Sequence, residues 1–367
     1  MKIIHCADLH LDSPMTGVFM RERDQHKARQ RRNELLVTYL RLLKFAQRNN
    51  VEHIMLSGDI FDTNIVTDSV RAAVENSILS NPHITFYYLK GNHDRDSFLD
   101  KLKTPPPNLK LFEKNWTYHL IPDSKIVIAG KELSESSDAN KKLKLESDNF
   151  NIVMLHGQES ENKELLHAIS FTGLRGKNID YLALGHIHIY TRAVLDERGI
   201  YCYPGCLEGR GFDECGRHGF VLLNVNEKDG SFTDEFIPIA GRTLHQLQVE
   251  VSNCKNIADL ENLLRYELNK AGVAEDDLCK ITLKGETDPE LIIDTDCLEA
   301  LLEENIYLVL IKDDTCCQPD IASYIAEPTL RGEFVRMTHA RTDLTAEQKA
   351  RIITYGLRAI AGKDILL

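Results

Sequence analysis

The chain has 367 residues, of which 43% are hydrophobic and 27% are charged, so it is long enough to bury a substantial core in two or three domains. The formal net charge of -12 argues against a surface that is basic throughout, although a local basic patch can still hold a polyanion. No apolar run approaches about eighteen residues, and Asp8 and His10 come too early for a signal peptide. These features predict a cytoplasmic protein with no membrane association.

The first part of the chain, to about residue 240, alternates short apolar segments with polar helical ones, which is typical of an α/β domain. Helices are predicted at Arg23 to Gln47 and Thr67 to Leu79. Short apolar runs between turns from Ile200 to Pro238 predict added antiparallel strands. The earlier strands are predicted at Lys2 to Ala7, His53 to Ser57, Ile84 to Lys90, Lys125 to Ala129, Asn151 to Leu155 and Tyr181 to Gly185.

Beyond Arg242 the pattern predicts a small β-α-β-α-β module that ends near Lys312, followed by two helices. The last helix has a capping box formed by Thr345 and Gln348, and Gly362 is its predicted stop. We therefore predict three parts: an α/β domain at 1–240, a small α+β domain at 241–313 and a helical tail at 314–367. The two tail helices are expected around Arg331 to His339 and Thr345 to Ala361.

Polar residues follow several of the predicted strands, in the segments ADLH, SGDIFD, KGNHD, LHG and GHIH. Carboxyl ends of strands are where α/β sheets place their ligand-binding loops, so one site can collect them all. In GHIH the two histidines are separated by one residue and can face a common point. The candidate residues are Asp8, His10, Asp59, Asn92, His93, Asp94, His156, His186 and His188.

The donor set is made of carboxylate, imidazole and amide groups without thiolate, which favours Mn²⁺, Fe or Zn²⁺ over a structural zinc site. The nine cysteines contain no CxxC pair. So many donors exceed the needs of one ion, whereas two ions roughly 3.5 to 4 Å apart and bridged by a carboxylate would use them. Each motif alone also fits an ordinary turn or helix cap, and only their joint order favours metal binding.

The ordered set D-x-H, GD, GNHD, HG and GHxH resembles the calcineurin-like metallophosphoesterase superfamily. The segments GDIFDT, KGNHD, DYLALGHIH and YPGCLEGRGFDE are similar to its DNA repair exonuclease branch, which includes SbcD-type nuclease subunits and YhaO-like proteins. The resemblance implies an α/β fold: a metallophosphoesterase β-sandwich flanked by helices, with a small α+β capping module and a C-terminal helical tail. It also implies a metal-dependent DNA phosphodiesterase, an exonuclease or endonuclease of DNA repair.

The resemblance assigns a role to each residue of the site. Two divalent ions are expected, Mn²⁺ before Fe or Zn²⁺, and they would activate the attacking water. His93 would donate a proton to the leaving sugar oxygen, and Asp94 would orient His93. Asp62 stands where archaeal and eukaryotic members carry histidine, and Cys206 stands where other members carry serine. The implied ligands are Asp8, His10, Asp59 and His188 for the first ion, and Asn92, His156 and His186 for the second, with Asp59 bridging.

Basic residues directly after the first metal loop form a candidate phosphate-binding strip. The segment RERDQHKARQRR, residues 21–32, has six arginine or lysine residues against two acids, and a solvated helix face explains it equally well. Phosphate contacts position DNA without reading its sequence, so largely sequence-independent binding is expected. The predicted DNA contacts are Arg29, Arg31 and Arg32 on this segment, with Arg210 and Arg217 in GRGFDECGRHG.

The tail is expected to hold a separate SMC-like ATPase, because TLRGEFVRM and TAEQKARIITYGLRAIAG resemble the helices with which these nucleases bind that partner. The alternative is that the stripe of Ile353, Leu357 and Ile360 packs against the chain's own core. A homodimer is also compatible with the sequence. No G-x-x-x-x-G-K-[ST] loop occurs, so the use of ATP would need a partner chain.

Two rival functions stay open at this point. One is hydrolysis of a small molecule or nucleotide by an enzyme of the same superfamily, which the module and tail after Arg242 disfavour. The other is a DNA-end tethering scaffold with little catalysis, which the intact ligand set and His93 disfavour.

Overall fold

The computed structural model describes residues 1–15, 18, 21, 24–62, 66–94, 105–132, 142–162, 165–287, 291, 293–317 and 321–360. The chain divides into two compact units, Met1–Thr243 and Leu244–Leu367; the finer division into three parts stays a prediction. Arg23 and Gly362, the predicted helix start and stop, lie outside the described residues. Within those residues, no helix is both long and apolar enough to span a bilayer.

The first unit is built on two six-stranded sheets with helices beside them. The strands are β1 (Lys2–Cys6), β2 (His53–Ser57), β3 (Thr85–Leu89), β4 (Leu109–Leu111), β5 (Thr117–Leu120), β6 (Ile126–Gly130), β7 (Phe150–His156), β8 (Gln158–Glu159), β9 (Ala168–Ile169), β10 (Tyr181–Gly185), β11 (Thr191–Val194), β12 (Ile200–Tyr203), β13 (Gly219–Val225) and β14 (Phe232–Pro238), and the helices are α1 (Gln25–Arg48), α2 (Asp68–Leu79) and α3 (Phe171–Leu174). One sheet has the order β14-β13-β1-β2-β3-β4 and the other β11-β12-β10-β7-β6-β5.

The core of this unit lies between the two sheets. Every residue of β2 and β10 is buried, and successive side chains point to opposite faces of a strand. Met55 and Ala183 therefore join one apolar cluster shared by both sheets. Leu182 belongs instead to a second cluster, with Phe171 of α3, on the other face of its sheet. Strands buried on both faces read as continuous apolar runs. The predicted α/β fold, a two-sheet sandwich flanked by helices, is confirmed.

The added strands after residue 200 are antiparallel only in part. β13 pairs antiparallel with both β1 and β14, as predicted. β12 pairs antiparallel with β11 but parallel with β10, so the prediction of purely antiparallel additions is wrong for this strand. The short strand β11, which the pattern analysis missed, turns the chain back so that β12 runs in the direction of β10.

The second unit begins with the predicted β-α-β-α-β order. Its strands β15, β16 and β18 are all parallel, and α4 buries Leu260, Leu264 and Leu268, four residues apart on one face. A second two-stranded pairing joins β17 and β19. The elements are β15 (Leu244–Glu250), α4 (Ile257–Lys270), β16 (Leu278–Lys284), β17 (Glu286–Thr287), α5 (Thr295–Leu302), β18 (Leu308–Asp313), β19 (Cys316–Cys317), α6 (Ile321–Ala326), α7 (Leu330–His339) and α8 (Ala346–Ile360).

The last three helices share a small apolar cluster of their own. Its buried members are Tyr324 of α6, Val335 of α7, and Ile353 and Leu357 of α8. The Thr345 N–H donates to Gln348 Oε1 (2.9 Å) and the Gln348 N–H to Thr345 Oγ1 (3.2 Å), which is the predicted capping box. Much of the predicted apolar stripe is thus used within the tail, whereas Leu330 and Met337 are 72% and 66% exposed.

A buried ion pair joins α1 to the loop after β12. Arg31 is 1% exposed; its Nη1 lies 2.9 Å from Glu208 Oε1 and its Nη2 lies 2.6 Å from the Gly209 carbonyl oxygen. Glu208 also accepts from Thr38 Oγ1 (2.7 Å) and the Gly241 N–H (2.9 Å). The prediction that Arg31 contacts DNA is therefore wrong, because its charge is enclosed and paired inside the protein.

Replacing Glu208 by alanine should destabilise the first unit by about 3 to 5 kcal/mol, since a buried charge loses a partner. The midpoint of urea unfolding, followed by tryptophan fluorescence and circular dichroism, measures the change. Glu235→Ala, at an exposed position on β14, is the matched control and should shift stability by less than about 0.5 kcal/mol. Equal midpoints for the two variants would show that the Arg31 network contributes little.

Candidate metal centre

The predicted site residues come together at the carboxyl ends of strands from both sheets. The loops after β1 and β2 are tied to each other: the Asp8 N–H donates to the Gly58 carbonyl oxygen and the His10 N–H to that of Asp59, each at 3.0 Å. Tertiary pairing thus brings together segments far apart in sequence. Asp8 and His10 follow β1, Asp59 follows β2, Asn92 and His93 follow β3, His156 ends β7, and His186 and His188 follow β10.

Several of these residues have left-handed backbone conformations that side-chain-bearing residues rarely adopt. The φ angles are 52° for Asp8, 43° for His10, 52° for Asp59 and 98° for His186. Such conformations are energetically costly and cluster at functional sites. The neighbouring Gly91 is required for space, because a Cβ there would lie 2.1 Å from Asp59 Oδ1. The backbone is therefore bent to bring these side chains together.

The first cluster contains Asp8, His10 and His188, whose ligand atoms lie within 4.8 Å of one another. The two histidines face each other with Nε2 atoms 3.2 Å apart. Their Nδ1 atoms point the other way, His10 to Asp62 Oδ1 (3.0 Å) and His188 to Glu214 Oε1 (2.6 Å). The Glu214 carboxylate accepts the His188 Nδ1–H and fixes the tautomer of that ring. The His188 Nε2 lone pair is therefore directed into the cluster, where it faces His10 Nε2.

The second cluster contains Asp59, His156 and His186, with Asn92 beside them. His156 Nδ1 donates to the Ser57 carbonyl oxygen (2.8 Å), so in the neutral ring Nε2 carries the lone pair. His156 Nε2 lies 3.2 Å from Asp59 Oδ2 and 3.0 Å from Asn92 Oδ1. Asn92 Oδ1 also lies 3.1 Å from His186 Nδ1. Several lone pairs therefore converge on this point too.

Acceptor groups that face one another at about 3 Å repel unless a cation or a proton lies between them. Both clusters offer nitrogen and oxygen donors without thiolate, which fits Mn²⁺, Fe or Zn²⁺. Asp59 lies between the clusters, because its Oδ2 is 3.2 Å from His156 Nε2 and 4.0 Å from His10 Nε2. This geometry fits the predicted bridging carboxylate, and the residues fit a pair of divalent ions.

Burial and neighbouring charges set the protonation of the metal-free site. Burial raises the pKa of Asp8 to about 6 and lowers the pKa of His10 and of His186 to about 4. Burial disfavours the charged forms of both Asp59 and His156. The attraction between the two opposite charges is stronger and holds the pKa of Asp59 well below its usual range. The carboxylates of Asp59 and Asp8 raise the pKa of His156 to about 9. A proton on His156 thus occupies the place that a cation would take.

Metal binding should therefore tighten as the pH rises toward 9. Below the His156 pKa of about 9, an incoming ion must displace a proton from the imidazole, so low pH favours the metal-free form. We expect the affinity for one ion to increase about tenfold per pH unit between about pH 6.5 and 8.5, with nearly one proton released per ion. Calorimetric Mn²⁺ titrations in two buffers of different ionisation enthalpy measure both quantities; a flat profile would contradict the assignment.

The structure changes the role of Asp94 but keeps His93 beside the site. Asp94 is buried, and its carboxylate accepts from the backbone N–H groups of Ile60, Phe61 and Gly91 at 3.0 to 3.3 Å. It therefore joins two site loops and does not orient His93, so the predicted role is wrong. His93 is instead held by the carbonyl oxygen of Asp62, 2.8 Å from its Nδ1.

Two carboxylates that the sequence analysis did not assign, Asp62 and Glu214, hold the first cluster in place. Both contact Arg210, whose Nη1 is 2.8 Å from Asp62 and whose Nη2 is 2.9 Å from Glu214. The available sequence signal for Glu214 was its position in the loop segment GRGFDECGRHG, between Arg210 and Arg217. Cys206, which stands where other members of the branch carry serine, is buried, and its Sγ lies 3.2 Å from His218 Nδ1.

The remaining predicted DNA contacts differ in their surroundings. Arg29 and Arg217 are exposed. Arg32 is partly exposed and pairs with Asp12 at 2.5 Å. Arg210 already donates to the carboxylates of Asp62 and Glu214. We therefore assign it a role within the metal site instead of the predicted phosphate contact. The basic strip is thus shorter than the sequence suggested, because its members point in different directions around α1.

A two-sheet sandwich with paired clusters of carboxylate, imidazole and amide donors at the ends of its strands fits a hydrolase with a two-metal site. Residues 1–190 match the model of the calcineurin-like phosphoesterase family. The chain belongs to this family, which hydrolyses phosphoesters with a dinuclear metal centre.

The individual proteins that the chain is similar to are distant from it in sequence. The chain is 28% identical over 342 residues to the uncharacterized metallophosphoesterase YhaO of Bacillus subtilis (strain 168), covering 83% of this chain and 78% of that protein. It is 23% identical over 351 residues to the DNA double-strand break repair protein Mre11 of Saccharolobus solfataricus, covering 88% and 85%. The crystal structure of the protein TT1561 of Thermus thermophilus aligns with a TM-score of 0.40 at 11% identity, covering 64% of this chain and 98% of that one.

Proposed function

We propose that this metallophosphoesterase is a DNA nuclease of repair that cleaves backbone phosphodiesters with little sequence preference. The observation that carries the proposal is the extent of the likeness to Saccharolobus Mre11, a DNA double-strand break repair protein. It covers 88% of this chain, whereas the family match ends at residue 190. The likeness therefore extends into the second unit, Leu244–Leu367, which favours a nuclease over a minimal small-molecule hydrolase.

In this proposal the two clusters of carboxylate, imidazole and amide donors would hold two divalent ions, with Mn²⁺ expected before Fe or Zn²⁺. When bound, these ions would supply activation of the attacking water and compensation of the phosphate charge. His93 supplies the proton for the leaving oxygen. Its side chain is exposed and its Nδ1 is held by the Asp62 carbonyl oxygen at 2.8 Å, which leaves Nε2 to face a substrate. Its ring lies edge-on to that of His10, with centroids 5.2 Å apart, so the donor is next to the first cluster.

Turnover of three substrates tests the proposal against its rivals. Double-stranded DNA, single-stranded DNA and bis-p-nitrophenyl phosphate are each incubated with the purified chain, with and without Mn²⁺. A nuclease cleaves DNA only with the metal and loses that activity in His10→Ala. Cleavage of the small diester alone indicates a small-molecule phosphodiesterase. DNA binding without any cleavage indicates a tethering scaffold.

We further propose that the three tail helices, α6 to α8, bind an SMC-like ATPase. The tail buries Val335, Ile353 and Leu357 in its own cluster, so its helices have a defined arrangement. It still exposes Leu330 and Met337 on α7, and exposed apolar side chains on a helix fit a groove of a partner. The proposal therefore assigns the contact to the outward side of α7 rather than to the whole apolar stripe.

Met337→Glu should abolish co-purification with a co-expressed SMC-like ATPase, weakening binding by at least about 30-fold if Met337 is an interface hot spot. Because the side chain is 66% exposed, the fold and the Mn²⁺-dependent cleavage of bis-p-nitrophenyl phosphate should be unchanged. Glu347→Gln, at an exposed position on α8, is the control and should bind normally. Full ATPase binding by Met337→Glu would remove α7 from the interface.

A further inference from the structure

A single guanidinium, that of Arg210, lies between the two carboxylates that hold the histidines of the first cluster. Its Nη1 is 2.8 Å from Asp62 Oδ1, and its Nη2 is 2.9 Å from Glu214 Oε1. The same two oxygens lie beside imidazoles: Glu214 Oε1 accepts from His188 Nδ1 at 2.6 Å, and Asp62 Oδ1 is 3.0 Å from His10 Nδ1. Each oxygen thus contacts one arginine nitrogen and one histidine nitrogen.

We propose that Arg210 is a positioning residue for the first metal ion. It joins the carboxylates of Asp62 and Glu214 into one frame, and that frame sets the direction in which both histidines of the first cluster present Nε2. The inference rests on the dinuclear site and not on which phosphodiester is cleaved. It can therefore be tested without DNA, and it can fail while the proposed nuclease function holds.

The loop that carries Arg210 is built to be rigid. It starts at the site itself, where the Cys206 N–H donates to the His188 carbonyl oxygen (3.2 Å). The Arg210 N–H donates to Glu214 Oε2 (2.7 Å), and His218 Nε2 lies 2.7 Å from the Glu214 carbonyl oxygen. A planar guanidinium matches two separate acceptors in a way that a flexible ammonium group does not. The frame therefore depends on arginine at this position.

The second cluster has different supports. His156 Nδ1 donates to the Ser57 carbonyl oxygen at 2.8 Å, and His156 Nε2 faces Asn92 and Asp59. These contacts come from the ends of β2 and β3, not from the Arg210 loop. Loss of Arg210 is therefore expected to weaken the binding of only one of the two ions. A general loss of stability would weaken the binding of both.

The sign of the effect separates positioning from simple charge. Removing a cation near a metal site would by charge alone tighten the ion, because like charges repel. Loss of the groups that orient a ligand instead weakens metal affinity, typically about 10- to 100-fold. A weaker first ion without Arg210 is thus the result that only a positioning role predicts.

The experiment measures Mn²⁺ binding to the full chain by isothermal titration in Arg210→Gln and Arg210→Lys. We expect both variants to bind one ion about 10- to 100-fold more weakly and the other ion normally. The lysine variant keeps the charge, so it also provides the test if the glutamine variant does not fold. Arg192→Gln is the matched control, since Arg192 makes a two-bond pair with Asp234 away from the clusters, and should bind both ions like the unmodified chain.

Two background variants assign the effect to its ion. In His186→Ala, which weakens the second cluster, Arg210→Gln should still weaken the remaining ion by the same factor. In His10→Ala, which removes the first cluster, it should have no further effect on the remaining ion. The proposal is overturned by tighter or unchanged binding in Arg210→Gln, by an Arg210→Lys chain that binds like the unmodified one, by equal weakening of both ions, or by an effect that persists in His10→Ala.

Discussion

Asp59→Asn should leave fewer than two ions per chain after Mn²⁺ loading and should lower phosphodiester turnover by at least about a thousandfold. The reason is that Asp59 Oδ2 lies close to both clusters, 3.2 Å from His156 Nε2 and 4.0 Å from His10 Nε2. An amide keeps the shape but removes the negative charge that two cations would share. A metal ion contributes several kcal/mol to transition-state stabilisation, and each 1.36 kcal/mol is a factor of about ten.

Elemental analysis of the gel-filtered protein and turnover of bis-p-nitrophenyl phosphate measure the two effects. Asp68→Asn is the matched control, because that side chain is 91% exposed at the start of α2, and it should retain both ions and full activity. Asp59→Asn protein that keeps two ions and normal turnover would exclude a bridging role. A single ion in the unmodified chain would exclude the dinuclear centre itself.

His93→Ala should keep both ions and lose about two to four powers of ten in the rate of DNA cleavage, as expected for removal of a proton donor. His93 lies beside the first cluster, but its Nδ1 is committed to the Asp62 carbonyl oxygen. The His93 N–H to Asp59 bond of 2.8 Å is a backbone contact and survives the substitution. Metal content and the support of Asp59 are thus expected to be unaffected.

The leaving group provides the sharper measurement for His93. A p-nitrophenolate leaves without a proton, so the loss of rate should be much smaller with bis-p-nitrophenyl phosphate than with DNA. His83→Ala, at another exposed histidine, is the control and should cleave both substrates normally. Equal losses on both substrates would argue against proton donation, and loss of an ion would make His93 a ligand.

The sequence alone contained much of the site because its residues occur at predictable places. Asp8, Asp59 and His186 each follow a short apolar strand, and strand ends can be read from periodicity and turn residues. Parallel strands within each sheet place those ends on one edge of that sheet. Packing of the two sheets then brings the two edges together, because β1 and β2 belong to one sheet and β10 to the other. The capping box of Thr345 and Gln348 is equally local, since its two bonds span three residues, and it formed as predicted.

The tertiary structure decided whatever depends on where a side chain points and what meets it from far along the chain. Arg31 belongs to a basic segment, but its partner Glu208 lies 177 residues away. The direction of α1 turns that one arginine inward while Arg29 stays exposed. No local pattern records such a pairing.

The supports of the metal ligands follow the same principle. Asp94 is next to His93 in sequence, yet it bonds to backbone N–H groups of the loop after β2. Asp62 lies 3.0 Å from His10 Nδ1 and also accepts from Arg210, which is 148 residues away in the sequence. Ligand identity follows from residue type and strand position, which are local properties. Orientation of those ligands follows from long-range hydrogen bonds that exist only once both sheets have packed.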